Sequence, residues 1–395
     1  MSAPIDRSGL DVAVSGEDVQ APGVQVNAPL PAPGTVSSTT SGLPALSSEA
    51  NSIAAVGLEP VTAESAELKQ AQRARLRRKL LGSTPLLMFG VLLLIFLAFS
   101  IAHPDTFPKF ANIRNMIDDT SPYLIMGVGF TYVMIAAGFD LSQGSVLVFG
   151  QVVAAKVMVA IGGQGGWTIA VGFIAAILAG TLWGIFNGLV ITKLRVPPLI
   201  TTLGSLGAAL GLADILTQGQ DNTPTPAILT TISAQLPLGM SWRVWVALVV
   251  AVIGGLYLHL TRFGRRTFVI GSNEEAARRA GINVDRHIIK LYMIASGIAG
   301  LAGMMALINN TTTTVGGHAT DSLVVVTGVA LGGVSLFGGS GLMVGTVIGM
   351  FVPTVLANGL ISIKVQSFWQ QVVTGLILVF AVYLDQYKRR RRNAV

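Results

Sequence analysis

Gly271-Ser-Asn-Glu-Glu-Ala-Ala-Arg-Arg-Ala-Gly-Ile-Asn283 is a charged interlude in an apolar chain. Its spacing predicts a helix of about two turns. Ser272 with Glu275 three residues on forms a capping box, and Asn273 is a competing N-cap. Glu274 faces Arg278 and Glu275 faces Arg279 at i,i+4, with the acid on the favoured N-terminal side. Acids in the first turn and arginines in the last also suit the helix dipole. Gly281 supplies the stop. Ala276, Ala277 and Ala280 leave a small, flat face. A helix needs roughly 12–15 residues to stand alone in water, so something else must hold this one. Two readings stay open on the segment alone: a docking helix in a loop between membrane spans, or a surface turn with no partner.

The rest of the chain decides the compartment. Apolar residues make up 51% and charged residues 11%, with a mean hydropathy of +0.66. Soluble domains carry about 25% charged residues, so the composition is that of a membrane protein. With no cysteine there is neither a disulfide framework nor a thiolate zinc site. His103, His259, His287 and His318 are scattered, with no pair at metal-ligand spacing.

Residues 1–66 are rich in Ala, Pro, Ser, Thr and Gly and lack a helical period, which predicts a disordered tail. No basic region followed by an apolar core marks it as a secretory signal. Residues 67–83 turn basic and abut an apolar run, which suits a membrane-surface anchor better than a nucleic-acid patch. From there to residue 385 the chain reads as an all-α polytopic bundle, closed by a basic tail at 386–395. Ten stretches approach the ~20 apolar residues of a span: about 84–102, 121–138, 141–161, 167–191, 198–217, 243–261, 288–308, 323–337, 342–362 and 367–384.

Charge sets the orientation. Lys69–Lys79, Lys193 with Arg195, Arg262–Lys290 and Lys388–Arg392 fall in alternate loops and hold 20 of the 26 basic residues. The positive-inside rule places these loops and both termini in the cytoplasm, which requires an even number of spans. The loop at 262–287 must also stay out of lipid. Arg262, Arg265, Arg266, Arg278 and Arg279 would together cost on the order of 15 kcal/mol at a bilayer centre.

The spans carry none of the usual engines of transport. Asp140, Lys156 and Asp214 are isolated, so no carboxylate chain suggests proton or sodium coupling. Gly338-Gly-Ser-Gly-Leu-Met-Val-Gly-Thr346 lacks the lysine of a phosphate-binding loop. No metalloprotease or nucleophile-elbow motif appears either. The chain therefore reads as a transport component and not an enzyme, with its energy supplied through a contact.

Two glycine-rich stretches interrupt the apolar flow: Gly138-Phe-Asp-Leu-Ser-Gln-Gly-Ser145 and Gly332-Gly-Val-Ser-Leu-Phe-Gly-Gly-Ser-Gly341. In the first, Asp140 and Ser142 can cap the next helix, and Gly138 and Gly144 allow a tight turn. Such breaks are tolerated only against protein or a water-filled cavity. Candidate conduit residues are Asp140, Asn187, Thr201, Thr202, Ser205, Asn309, Asn310 and Asn358. Each alone could serve helix packing; as a group they favour a path for a neutral polar solute.

Together these pieces resemble the permease subunits of ribose-type sugar importers of the ATP-binding cassette class. The resemblance covers roughly residues 84–385 and rests on Gly138–Ser145, Gly271–Lys290, Gly332–Gly341, Asn358-Gly-Leu and Ser367-Phe-Trp-Gln-Gln371. It implies a bacterial plasma-membrane permease that works as a pair of copies or close paralogues. Cytoplasmic ATPase subunits would hold the ATP and magnesium, this chain would bind no cofactor, and an extracytoplasmic sugar-binding protein would deliver solute. It further implies that Asn273, Glu274, Glu275, Ala276, Ala277, Arg278 and Gly281 form the coupling helix that inserts into the ATPase. Pentoses, hexoses, cyclitols and a signalling furanose all remain open as solutes. A stand-alone transporter or channel for a small polar solute is the alternative.

Overall fold

A computed structural model describes residues 84–163, 165–221, 225–318 and 320–393. The segments 1–66 and 67–83 lie outside them. Among the described residues there are thirteen α-helices and no strand. In chain order they are α1 (Thr84–Ala102), α2 (Phe110–Ile135), α3 (Gln143–Ala160), α4 (Gly166–Lys193), α5 (Pro198–Thr217) and the short α6 (Ile228–Ser233). There follow α7 (Trp242–Leu260), α8 (Arg262–Ser272), α9 (Glu274–Arg279), α10 (Val284–Asn310), α11 (Asp321–Leu331), α12 (Met343–Ser362) and α13 (Ser367–Asn393).

Burial sorts these helices into centre and rim. The second half of α2, most of α3 and most of α10 are buried, and they form the core with Ile125, Phe130, Leu147, Met158 and Leu307. At the rim, α1, α4, α7 and α13 expose Leu94, Ile101, Leu182, Ile253 and Phe380. Helices that are apolar on all sides yet face outward require an apolar solvent, which is lipid.

The centre is held by close backbone approach. Gly180 and Gly184 of α4 lie against the carbonyls of Ser296 and Tyr292 in α10, where a Cβ would collide. Between helices in lipid there is little hydrophobic gain, so small residues and tight van der Waals contact do the joining.

Seven helices are long and apolar enough to cross a membrane: α1, α3, α4, α5, α7, α10 and α12. The ten expected spans are not reached among the described residues. The stretch predicted at 323–337 contains only α11, whose 11 residues extend about 16 Å, half of a bilayer core. Its start lies inside the bundle, where the Ser322 hydroxyl donates to the Leu141 carbonyl (2.8 Å) and accepts from the Gly144 N–H (2.9 Å). The span predicted at 121–138 is the apolar end of the longer α2, whose first turns carry Arg114, Asp118 and Asp119. In α13 the apolar part is Phe368–Tyr383, and the helix continues to Asn393 through the region read as a basic tail.

Candidate coupling and translocation sites

The helix α9 is closed at both ends by its own residues. The Ala276 N–H donates to Asn273 Oδ1 (2.9 Å), so Asn273 is the N-cap. The capping box expected at Ser272 is not formed, because Ser272 ends α8 and its hydroxyl donates to the Phe268 carbonyl. At the other end Gly281 takes φ +78°, open to glycine without strain. Its N–H reaches the Arg278 carbonyl (3.0 Å) and the Ile282 N–H reaches the Ala277 carbonyl (3.1 Å), a complete Schellman motif. Both predicted pairs form: Arg278 Nη2 to Glu274 Oε1 at 2.8 Å and Arg279 Nη2 to Glu275 Oε1 at 2.5 Å.

What holds α9 is a seat within its own chain. Ala277 is fully buried against Ile270 and Val284, with Ile282 and Ile288 beside them. The alanine face is therefore divided: Ala277 points inward, while Ala276 and Ala280 stay exposed with Glu275 and Arg279. Arg278 reaches past its own helix to Asp285 Oδ1 at 2.6 Å, and Arg195 approaches Asp285 Oδ2 at 3.6 Å. Hydrogen bonds donated to Asp285 and then to Glu274 hold the Arg278 guanidinium above the usual arginine range. Asp285 thus ties α9 to the start of α10 and to the α4–α5 turn, where Arg195 sits at φ +56°.

A cavity of about 350 Å³ lies behind α9. Glu274, Arg278 and Asp285 line it on one side, and Ala137, Gly138 and Tyr292 line it on the other. Gly271 and the turn at Gly338–Gly339 pack onto the end of α2, where the Gly339 N–H donates to the Ile135 carbonyl (2.8 Å). The second glycine stretch therefore braces the end of α8, from which α9 follows.

Beyond Gly138 the chain breaks between α2 and α3. Ala137 takes φ +60°, and the Phe139 carbonyl accepts from the Tyr292 hydroxyl (3.1 Å) and from Thr202 (3.4 Å). Asp140 is fully buried and its Oδ1 accepts from the Ser142 N–H (3.0 Å) and hydroxyl (2.5 Å). The Asn187 amide in turn donates to the Ser142 hydroxyl (3.0 Å). Neither predicted cap onto α3 forms; Asp140 closes a local turn instead. Six buried polar atoms here have no hydrogen-bond partner among the described residues: Asp140 Oδ2, both amide atoms of Gln143, Asn187 Oδ1, Thr201 Oγ1 and Ser205 Oγ. Native interiors rarely leave such atoms unpaired, so their concentration marks a place for water or a polar solute.

The family model described as "Branched-chain amino acid transport system / permease component" matches residues 112–382. The chain belongs to this permease family. The permease is 33% identical to the ribose import permease protein RbsC of Escherichia coli strain K12 over 306 residues, covering 76% of this chain and 93% of that protein. It is 33% identical to RbsC of Bacillus subtilis over 306 residues (76% and 91%). To the galactose/methyl galactoside import permease protein MglC of Escherichia coli K12 it is 30% identical over 319 residues (77% and 94%). No solved structure matches the permease significantly.

The eight predicted conduit residues of the permease do not form one site. Asp140, Asn187 and Thr202 meet at the α2–α3 break, and Thr201 and Ser205 lie buried on the adjoining α5. Asn309 and Asn310 sit at the opposite end of α10, bonded to each other (2.8 Å), with the Asn309 carbonyl accepting from Ser233 of α6 (3.4 Å). Asn358 pairs with Asn112 (3.0 Å) on the wall of a second cavity. Sequence reasoning missed Gln143 and Tyr292, which only the folded break brings to Asp140. It also missed Asp285, whose clue was a third acid, beside Glu274 and Glu275, within the basic loop.

Proposed function

We propose that the permease is the membrane subunit of an ATP-binding cassette importer for a monosaccharide or similar polyol. A separate cytoplasmic ATPase subunit grips α9, an extracytoplasmic sugar-binding protein delivers solute, and a second permease copy completes the pathway. ATP and magnesium belong to the ATPase. The chain lies in the bacterial plasma membrane with both termini cytoplasmic, supported by the concentration of basic residues in alternate loops of the sequence.

The observation that carries this reading is α9 itself. It is capped at both ends, seated on Ala277, and offers Glu275, Ala276, Arg279 and Ala280 outward. Movement of the ATPase against that face passes through Arg278–Asp285 to α10 and the α4–α5 turn, across the cavity shared with the break. ATP binding acts by favouring one of two bundle conformations, the ATPase contact being stronger in one of them. At the far end the loops around 218–242 and 309–318 are joined, with Thr225 donating to the Thr311 carbonyl (2.6 Å) and the Val315 N–H to Asp221 (2.5 Å). This joined surface is the receiving face for the binding protein.

The family description names amino acids, yet the relatives named above are sugar permeases. At the break, one carboxylate faces amides and hydroxyls with no cation bonded to it among the described residues, which suits hydroxyl groups better than a zwitterion. The test is reconstitution of the permease with its ATPase and binding protein in liposomes. ATP-dependent uptake of D-ribose or D-galactose is the expected result. Sugar flux through the permease alone, without ATP, would establish the stand-alone transporter instead.

A further inference from the structure

A second cavity, about 490 Å³, opens among α2, α7, α11, α12 and α13 and shares no lining residue with the cavity behind α9. Its volume falls within the roughly 300–1,000 Å³ of small-molecule sites. Asp119, Arg243, His318 and Asp321, from three parts of the chain, bring charge-bearing groups to it. His318 Nδ1 lies 2.6 Å from Asp321 Oδ2, and the Tyr123 hydroxyl donates to Asp321 Oδ1 (3.4 Å). The charge of Arg243 acts on Asp119, yet no ion pair closes between them among the described residues. Asp119 is exposed and Arg243 half-buried, with Asp118 the stronger electrostatic partner of Arg243, so this wall of the cavity offers charges of both signs to a polar guest.

Side-chain amides complete the wall. Gln370 Nε2 is buried without a hydrogen-bond partner among the described residues. Asn358 has its oxygen occupied by Asn112, and Gln371 and Thr374 lie beside it. Donors and acceptors are thus spread around the cavity instead of gathered at one end. A zwitterionic amino acid would use one cation and one anion and leave the amides idle. A molecule bearing hydroxyls on every side uses them all, and it adds no net charge to a wall that already carries both signs.

We propose that this cavity is a binding site for a neutral polyhydroxylated molecule of monosaccharide size, with Asp119, Arg243, Asn358, Gln370 and Gln371 as its hydrogen-bonding groups. It rests on the sugar-permease reading and adds a second solute station to the one at the α2–α3 break.

The chain has no cysteine, so a single introduced thiol reports one position without background. Gln371→Cys is placed in the full-length permease in nanodiscs, with Thr230→Cys on the exposed α6 as control, and its reaction with a maleimide is timed. Saturating D-ribose or D-galactose slows labelling of Gln371→Cys about fivefold or more and leaves the control unchanged, as site occupancy requires. Because this assay needs no ATP, it reads the cavity even if the coupled-uptake test fails. Equal labelling with and without both sugars overturns the site, and protection by L-leucine alone overturns the ligand class. A lipid retained in the cavity by native mass spectrometry would also overturn it. As a second measurement, Asn358→Leu in the assembled importer raises the KM for uptake about tenfold while ATP hydrolysis stimulated by the binding protein stays intact. An unchanged KM in a variant of unchanged thermal stability counts against the proposal.

Discussion

Arg278 Nη2 lies 2.6 Å from Asp285 Oδ1, which ties the last turn of α9 to the first turn of α10. The same arginine bonds Glu274 within α9, and the second Asp285 oxygen faces Arg195 of the α4–α5 turn. One carboxylate therefore joins three elements at the end of the bundle where an external motor is proposed to push. Otherwise this six-residue helix is held by its two internal ion pairs, its two caps and the buried Ala277.

Asp285→Asn keeps the shape and removes the charge. The pair is partly exposed, with 36% of Arg278 and 18% of Asp285 accessible, so the loss is about 0.5–1 kcal/mol. Amide exchange across residues 274–280 should accelerate by a few fold, and sugar moved per ATP should fall. The double variant Arg278→Asp/Asp285→Arg should recover part of both. Exchange and coupling unchanged in Asp285→Asn would show that the tie does not transmit movement.

Ala276 and Ala277 are neighbours in sequence with opposite surroundings, one exposed and one fully buried. Ala276→Arg should abolish uptake and stimulated ATP hydrolysis while thermal stability and membrane insertion stay normal. Ala277→Leu should instead destabilise the chain, by roughly 1–3 kcal/mol through overpacking, and lower its melting temperature in detergent. If both variants behave alike, the exposed face is not the docking face.

Gly184 touches the Tyr292 carbonyl so closely that any Cβ must displace the backbone. Gly184→Val should separate α4 from α10 and lower the melting temperature by several degrees or prevent recovery of folded protein. Gly207, on the exposed side of α5, provides the contrast: a methyl group there would meet no atom within 4 Å. Gly207→Ala should hold the melting temperature of the isolated chain or raise it slightly, because alanine favours the helix over glycine. Thermal unfolding of the two variants side by side settles the matter.

At the break, Asp140→Ala deprives Ser142 of its acceptor and removes one of the orphaned oxygens. Uptake should fall about tenfold or more while ATP hydrolysis by the complex continues, because α9 is untouched. Asp140→Asn should be milder, since its amide oxygen can still accept from Ser142. Full uptake by Asp140→Ala would remove the break from the solute path.

Much of α9 was legible because every stabilising partner inside it is local. Glu274–Arg278, Glu275–Arg279, Asn273 and Gly281 all act within a few residues, and spacing alone displays them. The competition between Ser272 and Asn273 was not legible, since it turns on where α8 ends. Nor was the inward turn of Ala277, which depends on Ile270 and Val284 approaching from two other helices. Span counting failed at α11 for a related reason. Hydropathy measures how apolar a stretch is, but Gly332 and the re-entry beside Gly144 decide where the helix stops and at what depth it starts.

The amino-acid order alone determined that this is a helical membrane protein and that one charged loop must stand outside the lipid. Both follow from transfer energies and backbone periodicity, which are properties of short stretches. Only the tertiary structure decided which polar groups meet. Ser142 joins Asn187 across 45 residues, and Asp119 faces Arg243 across 124. Such meetings depend on how glycine-lined helices cross, and a crossing is the joint product of two surfaces that neither sequence segment contains by itself.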